Sequence, residues 1–190
     1  MSNSSSPLYL GLTGKYGVGK DTVAQLFVEQ GFIHLSLSDV LQQYLLKNNI
    51  PYNRDNMIRY GDQLRTEQGA DVLSRTLIKQ LQPDKKYVFS SIRSLGELHR
   101  LQTLPGFILI EVTAPVQIRL HRIQQRNRPG DPQTLPKLLI KEQQEQTTNP
   151  NGMQLNEVIA QAKYQIINDS NVKQLREKVK ELVIKLITAQ

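Results

Sequence analysis

The chain has 190 residues, 38% of them apolar, with no Cys and no Trp. This suffices for one sizeable core in a single domain and excludes disulfides and thiolate metal sites. The net charge of +7 points to anionic partners, and because Lys and Arg are scattered along the chain, small phosphorylated molecules are expected before nucleic acid.

Residues 1–6 are polar and serine-rich and read as a disordered tail, leaving residues 7–190 as one domain. The apolar run after the tail, Leu8 to Leu12, is too short for a signal peptide or a membrane span, so no membrane partner and a cytoplasmic location are expected. It reads instead as a strand. Gly14-Lys15-Tyr16-Gly17-Val18-Gly19-Lys20-Asp21-Thr22 follows, and then a helix whose apolar positions include Val23, Leu26 and Phe27. Strand, glycine-rich turn and helix are the context of a phosphate-binding P-loop. Glycines let several backbone N–H groups converge on one polyanion, the helix N-terminus adds positive field, and Lys20 supplies a point charge. Asp21 stands where Ser or Thr usually offers a hydroxyl to magnesium. Two readings follow: Asp21 contacts the metal, directly or through water, or Thr22 provides the hydroxyl one residue later.

Gly31 marks a helix stop, and Phe32 to Leu35 reads as a second strand. Ser36-Leu37-Ser38-Asp39 offers capping side chains to a helix carrying Val40, Leu41, Tyr44 and Leu45, which Pro51 ends. Met57 to Arg65 reads as helical despite Gly61, and a further helix with Val72, Leu73, Leu77, Ile78 and Leu81 runs to Pro83. Tyr87 to Ile92 is the third strand, ending on Arg93; Ser94 to Gln102 is helical. Phe107 to Val112 is the fourth strand, apolar enough to be buried on both faces. Residues 116–126 form an Arg-rich helix that Arg128-Pro129-Gly130-Asp131-Pro132 breaks. Leu135 to Gln146 reads as helix, Thr147 to Gly152 as polar loop, Tyr164 to Ile167 as the fifth strand, and the residues from Val172 to Leu186 as the last helix. The expected fold is α/β, a five-stranded, mostly parallel sheet with helices on both faces.

With these elements placed, the chain resembles the P-loop kinases of nucleoside monophosphates and their relative dephospho-coenzyme A kinase. Gly11-Leu12-Thr13-Gly14 through Thr22 is similar to the start of the latter family, with Asp21 replacing its serine. The resemblance implies ATP on the loop, with Gly14, Lys15, Gly17, Val18, Gly19, Lys20, Asp21 and Thr22 as cofactor-binding residues and Mg²⁺ at Asp21 or Thr22. It implies a helical acceptor-binding insert over about 40–82 and an arginine-bearing lid over about 119–134. Asp39 is placed like the acid near the acceptor hydroxyl; the alternative is a helix N-cap. Arg54, Arg65 and Arg93 stand as candidates to grip an acceptor phosphate, with a surface salt bridge as the other reading of Arg93. Arg119, Arg122, Arg126 and Arg128 form the lid-like cluster, of which Arg122 and Arg126 join Lys20, Asp39 and Arg93 as expected catalytic residues. Their alternative is a solvated or RNA-contacting basic face. Asn168, after the fifth strand, is placed near the adenine; Asn168-Asp169-Ser170 equally suits a helix cap.

Related kinases often carry an acid near the end of the third strand, where this chain has Ser90 and Ser91. Either Asp21 supplies that charge, or metal binding is weakened and the chain is a pseudoenzyme. His34, His99 and His121 have no ligand spacing and receive no metal or catalytic role. The expected activity is transfer of the γ-phosphoryl group of ATP to a phosphorylated small-molecule acceptor, a nucleoside or deoxynucleoside monophosphate. Dephospho-coenzyme A is the alternative acceptor, and a non-catalytic nucleotide- or nucleic-acid-binding protein is the further alternative.

Overall fold

The computed structural model describes residues 7–147, 149 and 151–188, with the side chain of Arg54 also outside that description. The expected tail, residues 1–6, lies outside the described residues. The strands are β1 (Tyr9–Thr13), β2 (Phe32–Ser36), β3 (Lys86–Ser90), β4 (Ile108–Thr113) and β5 (Tyr164–Ile167). They form one sheet in the order β2-β3-β1-β4-β5, every neighbouring pair parallel. The glycine-rich loop therefore leaves the central strand at the carboxyl edge, where parallel sheets bind ligands.

Alternation along the strands builds two cores. Leu8, Leu10 and Leu12, with Val88, Ile110, Val112 and Ile166, pack beneath α1 (Lys20–Glu29) and α9 (Val172–Thr188). Tyr9, Tyr87, Phe89 and Leu109 face the other way, against α2 (Leu37–Lys47), α3 (Arg54–Gln68), α4 (Val72–Ile78), α5 (Leu95–Gln102) and α8 (Leu155–Ala160). The three-layer α/β architecture is thus the expected one. The remaining helices are α6 (Val116–Arg126) and α7 (Leu135–Gln143), and no helix among the described residues is long and apolar enough to cross a membrane.

Several boundaries differ for identifiable reasons. Helix α2 ends before Pro51: Asn49 takes φ 54°, and the Asn49 and Ile50 N–H groups donate to the carbonyls of Leu46 and Leu45, a Schellman stop with Asn in the left-handed position. Helix α3 starts three residues before Met57, because the Asn53 side chain accepts from the Asn56 N–H and caps it. Within it, a Cβ on Gly61 would lie 3.2 Å from Leu41, so the glycine lets α3 approach α2 closely. Helix α7 stops at Gln143, short of Gln146, which instead pairs with Gln154 in an isolated antiparallel bridge leading into α8. Asn171, not Asn168, caps α9, its side chain accepting from the Gln174 N–H.

Phe27 is fully buried on α1 and meets Phe32 edge-on at 5.5 Å between ring centres. Phe27→Ala is expected to lower the unfolding free energy in urea by about 3–5 kcal/mol, and a loss below about 1 kcal/mol would show that α1 does not depend on this contact.

Candidate functional site

The loop from Gly14 to Gly19 is shaped by packing as well as by torsion. Gly14, Gly17 and Gly19 have φ of 141°, 79° and 88°. A Cβ on Gly14 would lie 2.1 Å from the Val112 carbonyl, one on Gly17 2.8 Å from Ile123, and one on Gly19 2.5 Å from Asn168. The glycines thus face β4, α6 and the residue after β5, and a side chain at any of them would force the loop open. Lys20 opens α1, and its Nζ donates to the carbonyls of Gly14 at 2.6 Å and Lys15 at 3.1 Å. Asp21 and Thr22, on the first turn, are exposed. Among the described residues no group of three His, Cys, Asp or Glu could hold a metal ion.

A clamp holds the loop from the far end of the chain. Buried Asn168 donates from Nδ2 to the Val18 carbonyl at 2.8 Å, while Arg122 donates to the Asn168 carbonyl at 3.0 Å and to its Oδ1 at 3.2 Å. Burial draws the Arg122 guanidinium below its ordinary pKa, with Asp169 opposing the shift. Arg119 is also buried, donating to the Tyr16 and Ala114 carbonyls and pairing with Glu142 on α7. Arg126 grips Asp131 with two bonds, at 2.7 and 3.0 Å, and stands over the Tyr16 ring at 4.9 Å; the Tyr16 hydroxyl donates to the same carboxylate at 2.6 Å. Burial raises the Asp131 pKa, but the bonds from Arg126 and Tyr16 outweigh it and leave the carboxyl below its usual range. Arg119, Arg122 and Arg126, spaced three and four apart on α6, each have protein partners in the structure.

At the same edge, a cleft of ≈ 40 Å³, partly open to solvent, lies beside α2, α3 and α4. Leu37, Leu41, Met57, Ile58, Leu73 and Met153 form its apolar walls, and Ser38, Ser91, Arg65, Arg93 and Glu97 are its polar lining. Ser36, Ser38 and Ser91 join their hydroxyls at 2.8, 3.2 and 3.3 Å. Ser91 does so from a left-handed backbone, φ 65°, which costs a side-chain-bearing residue about 1 kcal/mol or more. Ser90 is buried and bonds His34 Nε2 at 2.8 Å. Asp39 is exposed at the third position of α2; Ser36, not Asp39, is the N-cap residue, and it makes no side-chain cap bond.

Arg65 and Arg93 both reach the cleft, but with partners. Arg65 donates to the Asn151 carbonyl, to Glu97 at 3.0 Å and to Asp62 at 2.7 Å. Arg93 pairs with buried Glu145 at 3.4 Å, the salt-bridge reading of this residue, although the partner lies inside the protein. The side chain of Arg54 lies outside the described residues. The sequence reading missed Glu97, Glu142 and Glu145. Only Glu97 carried a local signal, since Ser94-Leu95-Gly96-Glu97 is a capping box, observed in full at the start of α5.

A family model described as AAA domain (AAA_18) matches residues 10–147, well over half of the chain. The chain belongs to the AAA domain family. It is 28% identical over 183 residues to a UPF0200 protein of Thermococcus gammatolerans, covering 93% of this chain and 94% of that protein. A UPF0200 protein of Sulfurisphaera tokodaii is 25% identical over 178 residues, covering 94% and 97%. Among solved structures, TT1252 from Thermus thermophilus superposes with a TM-score of 0.58 at 23% identity, covering 95% of this chain and 98% of that one. A gluconokinase from Sinorhizobium meliloti gives 0.58 at 15% identity, covering 96% and 95%. A shikimate kinase from Acinetobacter baumannii gives 0.53 at 16%, covering 95% of each. The fold is the α/β P-loop fold of these solved structures.

Burial lowers the His34 pKa, and the nearby carboxylates of Asp39 and Asp21 only partly oppose it. An unfolded imidazole titrates near pH ~6.5. Below that the unfolded chain takes up a proton that folded His34 refuses, so stability falls with falling pH until the folded pKa is passed. His34→Gln should flatten this slope between about pH 6.5 and 5 in urea titrations; an unchanged slope would mean that His34 titrates normally.

Proposed function

We propose that the protein is an ATP-dependent small-molecule kinase, with ATP on the Gly14–Thr22 loop and an acceptor in the cleft beside it. The observation that carries this reading is the placement of the loop and the cleft at the carboxyl ends of adjacent strands, β1 and β3. The Thr13 hydroxyl at the end of β1 donates to the Ile92 carbonyl at 3.2 Å, so a side-chain hydrogen bond ties the two sites together. A group transferred between them travels a short path along one edge of the sheet.

The loop suits a polyphosphate, because its backbone turns through three positive-φ glycines into the N-terminus of α1. Lys20 would exchange its carbonyl partners for the terminal phosphates. Magnesium, when bound with the nucleotide, would neutralise phosphate charge and keep most of its water. The exposed oxygens of Asp21 and Thr22 suit such an ion, which needs no protein cage. With Ser90 buried against His34, Asp21 would carry the charge that related kinases place after the third strand. Asn168 and Arg122 would hold the loop in shape as well as border the nucleotide. Arg126 would hold the 119–134 tip against Tyr16, and this tip and the insert would move within the one domain of residues 7–190.

In the transfer step an acceptor oxygen forms a bond to the γ-phosphorus as the bond to the bridging oxygen of ADP breaks. Position and charge do most of the work. Asp39 would orient the acceptor and receive its proton late in the step. The resemblance to nucleoside monophosphate kinases and dephospho-coenzyme A kinase supports this reading, as do the kinase names of two solved structures of the same fold.

Lys20→Ala is expected to reduce acceptor-stimulated ADP release by about 100-fold or more while circular dichroism is unchanged. Retained release, with nucleic-acid binding that weakens steeply with salt, would favour a nucleic-acid-binding protein instead. Asp21→Ala should cut magnesium-dependent turnover about tenfold and change ATP affinity far less; unaltered turnover would remove Asp21 from the metal site.

A further inference from the structure

Among the described residues, the guanidinium groups that line the cleft are already engaged by carboxylates. Arg65 is shared between Glu97 and Asp62, and Arg93 pairs with Glu145. Arg65, Glu97 and Glu145 are 4%, 1% and 2% exposed, so the surrounding protein screens this balance weakly. Glu97 is further fixed by the N–H groups of Arg93 and Ser94, and Arg65 by the Asn151 carbonyl. A phosphate monoester would bring up to two more negative charges, and to be gripped it would have to strip carboxylates from guanidiniums.

What the cleft offers is apolar wall and neutral hydroxyl. Six aliphatic or Met side chains surround the space, and Ser38 and Ser91 present the polar contacts on the side of the β3 terminus. Serine hydroxyls accept as well as donate, so they suit a neutral hydroxyl, which does both, better than an oxyanion, which only accepts. The carboxylate of Asp39, which follows Ser38 in the first turn of α2, has a use for such an acceptor, because a hydroxyl must lose its proton during transfer and a phosphate oxyanion need not.

Resting on the kinase reading, we infer that the acceptor carries an uncharged hydroxyl on an apolar body, and that a nucleoside monophosphate is not the substrate. The hydroxyl oxygen bonds to the γ-phosphorus, the bond from that phosphorus to the ADP oxygen breaks, and the hydroxyl proton passes to Asp39.

The test uses the full chain with ATP and magnesium and scores ADP release above the acceptor-free rate. One panel holds AMP, CMP, UMP and dTMP. The other holds adenosine, thymidine, pantetheine and octyl glucoside, each with a hydroxyl and no phosphate. Stimulation by at least one hydroxyl compound, about tenfold above any monophosphate, is the expected result. Equal or greater stimulation by a monophosphate overturns the inference and leaves the kinase reading standing. No stimulation by either panel overturns that reading, and the inference with it.

A calorimetric titration of AMP into protein saturated with ADP and magnesium tests the charge argument separately. Glu145→Gln, which keeps the side-chain shape, and Asp62→Asn, at a site 39% exposed, are each expected to raise AMP affinity about tenfold. Tight AMP binding by the unaltered protein, or no gain in either variant, refutes it.

Discussion

The structure depends on how closely backbone can approach backbone around Gly14. At Gly14, between β1 and α1, there is no room for a side chain, because the Val112 carbonyl stands where a Cβ would be. This closeness brings α6 and the end of β5 against the loop, and through them the Arg122 and Asn168 clamp. Elsewhere the protein is an ordinary parallel sheet with two apolar cores. At this corner packing, torsion and hydrogen bonding all require the same three glycines.

Buried cations set the second constraint. Arg65 and Arg119 are buried in an interior that would penalise them alone, Arg93 is half-buried, and each pairs with a carboxylate. Those carboxylates sit on α5, α7 and the segment after α7. The ion pairs therefore fasten α3 to α5 and α6 to α7, and they also fix part of the charge at the cleft.

Much of the fold was legible because it rests on local rules. Strand and helix periodicity located all five strands, and Gly31 stopped α1 as expected, with φ 85°. The end of α2 was misplaced because Asn49 did the work that Pro51 suggested, and α8 was missed because six residues are too few for periodicity to register. At the site, the glycine loop was legible because its residue types are dictated by torsion. The arginine roles were not, since a guanidinium on a helix face looks the same whether its partner is a ligand or a carboxylate. Their partners, Glu142, Glu145 and Asp131, lie up to 52 positions away and carry no pattern that links them to Arg119, Arg93 or Arg126. The hydroxyl trio was likewise hidden, because Ser91 joins it only through a left-handed turn that no sequence rule assigns to serine.

The Asn168 contact with Val18 joins residues 150 positions apart. A ribosome makes the loop well before the residue that steadies it, which follows the edge strand β5. The stretch matched by the family model ends at residue 147, before that strand. A nascent chain can therefore display the full glycine motif before its anchor has been synthesised. The loop then takes its steadied shape only after a residue 150 positions further along has been made, a built-in delay between having the motif and having its anchor.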